Sequence, residues 1–287
     1  MSAVNISRMK ASNKQAGKKA GGTVFIFILL FVLGAFMILP IYLTLVMSVK
    51  PVEELFVFPP KLYTLNPTLD NFKDMFDTLN EMWVPFSRYV FNSVFVTAAV
   101  TVSQCVFSAM AAFVLAKYKF PGSRFLNSVI IIALLYQSNV YIVMNKLHLI
   151  NTYWALILPS VASPICVFLM RQSISQLPDS IIESAKVDGA GAFTICWKIV
   201  MPNQKPALMT LIIFAFQAAW NIQGGSFVYD ESLKTLPTVV QQAAESGLAR
   251  AGVAMASSVF MLLPPVIIFM AAQKYVIETM AYSGIKE

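Results

Sequence analysis

The sequence predicts an all-helical membrane protein with six spans and both termini in the cytoplasm, and two observations carry that prediction. First, 57% of the 287 residues are hydrophobic and only 12% are charged, whereas a soluble domain carries roughly 25% charged residues. The charges are clumped into short connectors between long uncharged runs, the pattern of a polytopic chain. Second, the basic residues are distributed unevenly between alternate connectors.

A spanning helix needs about 20 mainly apolar residues. Six uncharged runs qualify: 20–49, 89–116, 125–145, 149–170, 206–229 and 251–273. Arg8 to Lys19 form a basic stretch before the first run, which is too long for a cleaved signal and is read as an uncleaved helix. Pro40, Pro159, Pro164, Pro264 and Pro265 fall inside runs and mark kinks or helix ends.

Orientation follows from lysine and arginine. With the N-terminus inside, 14 of the 21 basic residues lie on the cytoplasmic side, including Lys117, Lys119, Arg124, Arg171, Lys186, Lys198 and Lys205. Most acids lie on the other side, with Glu53, Glu54, Asp70, Asp74, Asp77 and Glu81 in the connector before the second run. The chain reads as a single membrane domain over 1–287. It has a cytoplasmic tail at 1–19, an outside connector at 50–88, a cytoplasmic insert at 171–205 and an outside loop at 224–250. The 50–88 connector carries Phe56, Phe58 and Tyr63. It suits both an interfacial loop and a docking surface for an external partner.

Several chemistries are missing. No run holds an internal Asp, Glu, Lys or Arg, which weakens the case for an ion-coupled carrier. There is one histidine, His148, and no CxxC pair, so no metal site is expected. No G-x-x-x-x-G-K-[ST] occurs, so the chain does not bind ATP through a P-loop. Gly189-Ala190-Gly191 lacks the third glycine and the preceding strand of a dinucleotide loop. The net charge of +7 reflects connectors that set orientation, so no nucleic-acid partner and no catalytic role are expected.

The 171–205 insert is polar and glycine-punctuated, and irregular backbone of this kind must lie outside the lipid. Ile181 to Val187 forms a short helix with Ile181, Ile182 and Ala185 on one face and Glu183 and Lys186 on another. Asp188-Gly189 breaks it, glycine taking the sharp turn and aspartate capping the next helix. That second helix runs from about Ala190 to Val200, and Pro202 and Pro206 close the insert.

The run Glu183-Ser184-Ala185, Gly189, then nine residues, then Ile199 and Pro202, resembles the EAA signature of permeases of ABC importers. Asp188 matches the Asp-Gly form, and Ser184 departs from the usual alanine while staying small. The resemblance extends to Ser48-Val49-Lys50-Pro51, Asn66-Pro67-Thr68-Leu69-Asp70-Asn71-Phe72, Asn92-Ser93, Lys119-Phe120-Pro121-Gly122, Ile150-Asn151-Thr152-Tyr153-Trp154-Ala155 and the tail Gly284-Ile285-Lys286. These segments are similar to carbohydrate permeases of the maltose type.

The resemblance implies a type I importer permease fold in a bacterial cell membrane. It implies a second, different permease subunit, two copies of a cytoplasmic ATPase that bind the ATP and Mg, and an extracytoplasmic solute-binding protein. It assigns ATPase coupling to Glu183, Ser184, Ala185, Asp188, Gly189, Ile199 and Pro202. In that scheme Glu183 pairs with a basic residue of the ATPase, Ala185 and Gly189 allow close packing and the turn, and Ile199 and Pro202 hold the second helix against the membrane domain. Tyr136, Gln137, Asn139, Gln217, Trp220, Asn221 and Gln223 are the polar and aromatic groups able to line a sugar path, although asparagine and glutamine serve equally as interhelical glue. Trp220-Asn221 matches the sugar-permease form, but the residues after it depart from that form. A polyol or glycerol phosphate permease, and a self-sufficient secondary carrier, are the competing functions.

Overall fold

A computed structural model describes all residues except 1–2, 58, 60, 81–83, 134–139, 226, 246–250 and 285–287. In chain order the helices are α1 (Ala3–Ser48), α2 (Val52–Leu55), α3 (Asp70–Asn80), α4 (Phe86–Lys117), α5 (Ser123–Ala133), α6 (Val140–Lys146), α7 (Tyr153–Val161), α8 (Pro164–Ser175) and α9 (Asp179–Val187). Then come α10 (Ala192–Asn203), α11 (Lys205–Trp220), a short turn at Glu231–Leu233, α12 (Leu236–Glu245) and α13 (Ala251–Gly284). No strand occurs among the described residues.

Among the described residues, four segments are long and apolar enough to cross a membrane: Gly22–Ser48, Phe86–Lys117, Tyr153–Ser175 and Ala251–Tyr275. The pair α10 and α11, which meet at 91°, would make a fifth only if taken together as one span. The bend sits at Gln204, which leaves helical geometry (φ −109°, ψ 25°), and α11 restarts with Pro206 in its first turn, where a missing N–H costs nothing.

Three expected limits change. The fifth run is expected to reach 229, but its helix ends at Trp220. The fourth extends beyond Arg171 to Ser175, so the first five residues of the expected insert continue α8. It is also interrupted at 162–163, because Pro164 forces the residue before it out of helical geometry (Ser163 φ −111°, ψ 101°). The third run consists of α5 and α6, with 134–139 between them outside the described residues.

Helix α4 is the axis of the fold. At 1.5 Å per residue it spans roughly 48 Å, and it packs against α7, α8 and α11. Its C-terminal half joins one core, with Ala109, Ala112 and Phe113 against Cys166, Met170 and Ile174 of α8 and Ala207, Leu211 and Ala215 of α11. The prevalence of Ala and Cys has a physical cause. In lipid there is no hydrophobic drive between helices, so association rests on close van der Waals approach, which small side chains permit. The N-terminal half of α4 joins two further cores at the opposite end. Tyr89 packs with Met75, Leu79, Trp220, Leu236 and Val253, and Val96 and Val100 pack with Leu156, Ile157 and Val228.

Candidate functional site

The insert is a helical hairpin seated on the ends of three membrane helices. Ile182 and Ala185 of α9 and Ile195, Cys196, Val200 and Met201 of α10 are buried in the same core as α4, α8 and α11. Lys117, at the end of α4, donates to the Leu177 carbonyl and pairs with the Asp179 carboxylate at 2.7 Å. The ammonium holds the exposed Asp179 carboxyl below its ordinary range. Lys186 lies over the Tyr118 ring at 5.0 Å, and Ser173 of α8 donates to the Gln204 side chain. The hairpin is therefore tied to the membrane helices at its start, middle and end.

The turn follows a Schellman pattern. The Gly189 N–H donates to the Lys186 carbonyl and the Ala190 N–H to the Ala185 carbonyl, each at 3.0 Å. This closes α9 with Gly189 in the left-handed region at φ +79°. Ala185 and Ala190 make the accompanying apolar contact inside the core.

Three expected roles are corrected by this geometry. Asp188 does not cap the second helix; it is the C-cap of α9, and α10 begins after Gly191 with no side-chain cap. Ala185 is 5% exposed and packs inside its own chain, so its small size serves internal packing instead of approach by a partner. Pro202 is exposed and does not brace α10, whereas Ile199 does pack on the core. The second helix also starts two residues later than expected and widens into π geometry over Ile195–Val200, a distortion often found at functional sites. The free face consists of Glu183, Ser184, Val187, Asp188 and Gly189, all exposed. Val187 stands out at 88% exposure, an apolar side chain at the tip of a charged helix.

At the other end of α4 the segments that carry the permease resemblance act as clamps. The Asn92 amide donates to the carbonyls of Ser232 (2.8 Å) and Lys234 (2.9 Å), and its oxygen accepts from the Tyr153 hydroxyl at 2.6 Å. The Ser93 hydroxyl accepts from the Leu236 N–H at 2.7 Å. Thr235 donates to the Ile222 carbonyl at 2.9 Å, and Thr238 accepts from the Gly224 N–H at 2.8 Å. Asn151, at φ +62°, donates its N–H to the Phe227 carbonyl (2.8 Å) and accepts through Oδ1 from the N–H groups of Tyr229 (3.1 Å) and Asp230 (2.9 Å). Asparagine tolerates that backbone region better than most residues. The described residues from Gly224 to Glu245 are thus a run of turns followed by α12.

Asn92→Ala leaves two loop carbonyls and a tyrosine hydroxyl without their partner, at about 1–3 kcal/mol for each buried group. Faster hydrogen exchange across 224–236, with exchange in the insert unchanged, is the expected result. Identical exchange in the loop would refute the clamp.

Of the expected path residues, Tyr136, Gln137 and Asn139 lie outside the described residues. Gln217 and Asn221 share an exposed face of α11 with Phe214, and Asn221 donates to the Gln217 carbonyl at 2.8 Å. Gln223 is exposed in the loop beyond. Trp220 is 5% exposed, and its indole N–H is committed to the Met261 carbonyl of α13 at 3.1 Å. It borders a cavity of about 440 Å³ lined by Val90, Val94, Thr97, Phe216 and Phe260, a surface unsuited to sugar hydroxyls. Trp220 is therefore a packing residue. The sequence gives no sign of the pair Lys117–Asp179, because nothing local relates residues 62 positions apart. Nor does it show the contact of Tyr141 with Tyr229, whose hydroxyls are 3.2 Å apart.

Fold and insert define a helical, multi-pass membrane protein with a helical hairpin anchored to its bundle. Residues 21–282 match the family described as binding-protein-dependent transport system inner membrane component, and the chain belongs to that family. It is 29% identical over 266 residues to the arabinooligosaccharides transport system permease protein AraQ of Halalkalibacterium halodurans, covering 87% of this chain and 91% of that one. It is 32% identical over 213 residues to protein LplC of Bacillus subtilis, covering 71% and 69%. The sn-glycerol-3-phosphate transport system permease protein UgpE of Yersinia pestis is 26% identical over 285 residues, covering 90% and 95%. The fold matches a chain in the crystal structure of a bacterial ABC transporter involved in the import of the acidic polysaccharide alginate. That match has a TM-score of 0.74 at 19% identity and covers 88% of this chain and 96% of that one.

Proposed function

We propose that this chain is one of two permease halves of an ATP-driven importer that takes sugars from an extracytoplasmic binding protein. In this reading six spans cross the membrane, both termini and the hairpin are cytoplasmic, and the second permease is a different chain. Two copies of a soluble ATPase bind the ATP and Mg. The hairpin face of Glu183, Ser184, Val187, Asp188 and Gly189 sits in a groove of that ATPase, so that ATPase closure rocks the bundle as a rigid body. The observation that carries the reading is this exposed, partly apolar face on a hairpin whose other side is locked to α4, α8 and α11. The absence of any charged residue within the expected apolar runs supports an energy source on another chain, because coupled carriers use such residues. The names of the AraQ relatives support a saccharide cargo. A related alginate transporter solved with a pentasaccharide-bound periplasmic protein supports the binding-protein partner.

The exposed strip of Phe214, Gln217 and Asn221 on α11 fits the inner wall of the path between the two permeases. Glycerol phosphate is the second reading of the cargo, favoured by the UgpE relative. The test is co-expression with the neighbouring permease and ATPase genes, reconstitution with the binding protein, and a screen of saccharides and glycerol phosphate for stimulated ATP hydrolysis. Stimulation by a saccharide is the expected result. Transport by this chain alone on an ion gradient would overturn the proposal.

A further inference from the structure

Three aromatic rings meet at the loop end of the molecule. Tyr141 of α6 and Tyr229 of the loop are both exposed, at 39% and 59%. Their hydroxyls lie 3.2 Å apart although the residues are 88 positions apart in sequence. The Phe227 ring lies 6.1 Å from that of Tyr141, tilted by 48°. The backbone beneath is held firmly, since Asn151 bonds to Phe227, Tyr229 and Asp230 at once. Asp230, the residue after Tyr229, is exposed; its carboxylate accepts from the Ser232 N–H at 2.9 Å and from the Ser232 side chain, and a carboxylate has further lone pairs for a ligand. An interfacial tyrosine normally turns its hydroxyl to the headgroups. Here the two hydroxyls face each other, and Asn151 holds in place the backbone that carries the Phe227 and Tyr229 rings.

Such an arrangement suits one chemistry. A sugar ring has an apolar C–H face and a rim of hydroxyls. Fixed aromatic faces take the first, and phenol oxygens with a carboxylate take the second. Because the platform is already ordered, little freedom is lost on contact. We propose that Tyr141, Phe227 and Tyr229, with Asp230 at the edge, form a stacking platform that receives a saccharide ring as it leaves the binding protein. The proposal rests on the sugar-importer reading above. It adds a contact site that lies outside the α11 strip and on a different pair of elements.

The test uses cells carrying the whole transporter and labelled arabinotriose and maltotriose as probes. Tyr141→Ala/Tyr229→Ala is expected to lower uptake of the transported probe about tenfold, the scale of two lost stacking contacts. Membrane abundance and co-purification of the binding protein should be unchanged. Tyr141→Phe/Tyr229→Phe keeps the rings and should stay within about threefold of wild type. Normal uptake by the double alanine variant overturns the platform and leaves the sugar reading standing. Loss of uptake with a matching loss of binding-protein co-purification also overturns it, because the rings then touch protein instead of sugar. A wild-type transporter that imports glycerol phosphate and neither probe, nor any other saccharide, removes the platform and the sugar reading together.

Discussion

Gly252→Ala is expected to lower the thermal midpoint of the purified protein by about 5–10 °C, although it adds a single methyl group. A Cβ at Gly252 would lie 2.0 Å from Asn71 Oδ1, 2.6 Å from its Cγ and 3.1 Å from its Nδ2. Asn71 is 1% exposed and cannot swing aside freely. Its amide donates to the Ser48 carbonyl at 2.9 Å and to the Lys50 carbonyl at 2.7 Å, which fastens α3 to the end of α1. Accommodating the methyl means displacing α13 or breaking both bonds and leaving two carbonyls unpaired, a cost of about 2–4 kcal/mol. Gly191→Ala is the control, since its Cβ would meet nothing within 4 Å and its φ of −70° is ordinary. If Gly252→Ala and Gly191→Ala melt alike, the close approach of α13 to Asn71 is not a constraint on the fold.

The contrast between these two glycines shows what a sequence can and cannot convey. Long uncharged runs announce themselves, and the apolar spans Gly22–Ser48, Phe86–Lys117 and Ala251–Tyr275 fall where counting charges puts them, although the helices α1 and α13 that contain the first and last run on through charged residues. The end of α11 does not, because 221–229 is uncharged yet polar and carries Gly224-Gly225, with Gly225 at φ +42°. Absence of charge is a poor guide where asparagine, glutamine and glycine replace apolar residues. The hairpin is legible because Asp-Gly is a strong break and because Ile182 and Ala185 recur on one face. Its cap is not, because a side chain capable of capping does not reveal whether it is used. The role of Ala185 is legible only as a face, since small residues look the same whether they receive a partner or their own core. Asn71, Asn92 and Asn151 stand in segments that resemble maltose-type permeases, and the structure gives each a reason. Each ties a connector or loop to a helix end through backbone groups that would otherwise go unpaired. The Lys117–Asp179 and Tyr141–Tyr229 contacts have no local signal, since they depend on the three-dimensional path of the chain.

Gly189→Trp is expected to leave the protein inserted at normal abundance and to abolish ATPase-coupled uptake. Within this chain the position is open, because nothing lies within 4 Å of a Cβ built there. The internal cost is confined to placing a non-glycine residue at φ +79°, about 1–2 kcal/mol. That is too little to unfold a bundle whose cores lie elsewhere. The damage must therefore come from the surface that covers the turn in the working assembly, which is the ATPase groove of the proposed mechanism. Ala185→Leu makes the opposite case from the same motif. Ala185 is 5% exposed among Ile182, Ile195 and the α4 and α8 side chains. Overpacking there costs about 1–3 kcal/mol, and the variant should lose abundance and thermal stability along with uptake. Glu183→Arg should behave like the glycine variant, because Glu183 is exposed and stands outside the core that holds Ile182 and Ala185. An acidic substitution at its basic partner on the ATPase should restore part of the uptake. Measuring abundance, melting and uptake side by side separates the two routes. Normal uptake by a well-expressed Gly189→Trp protein would remove the hairpin tip from the coupling interface, whatever the fate of the Ala185 variant.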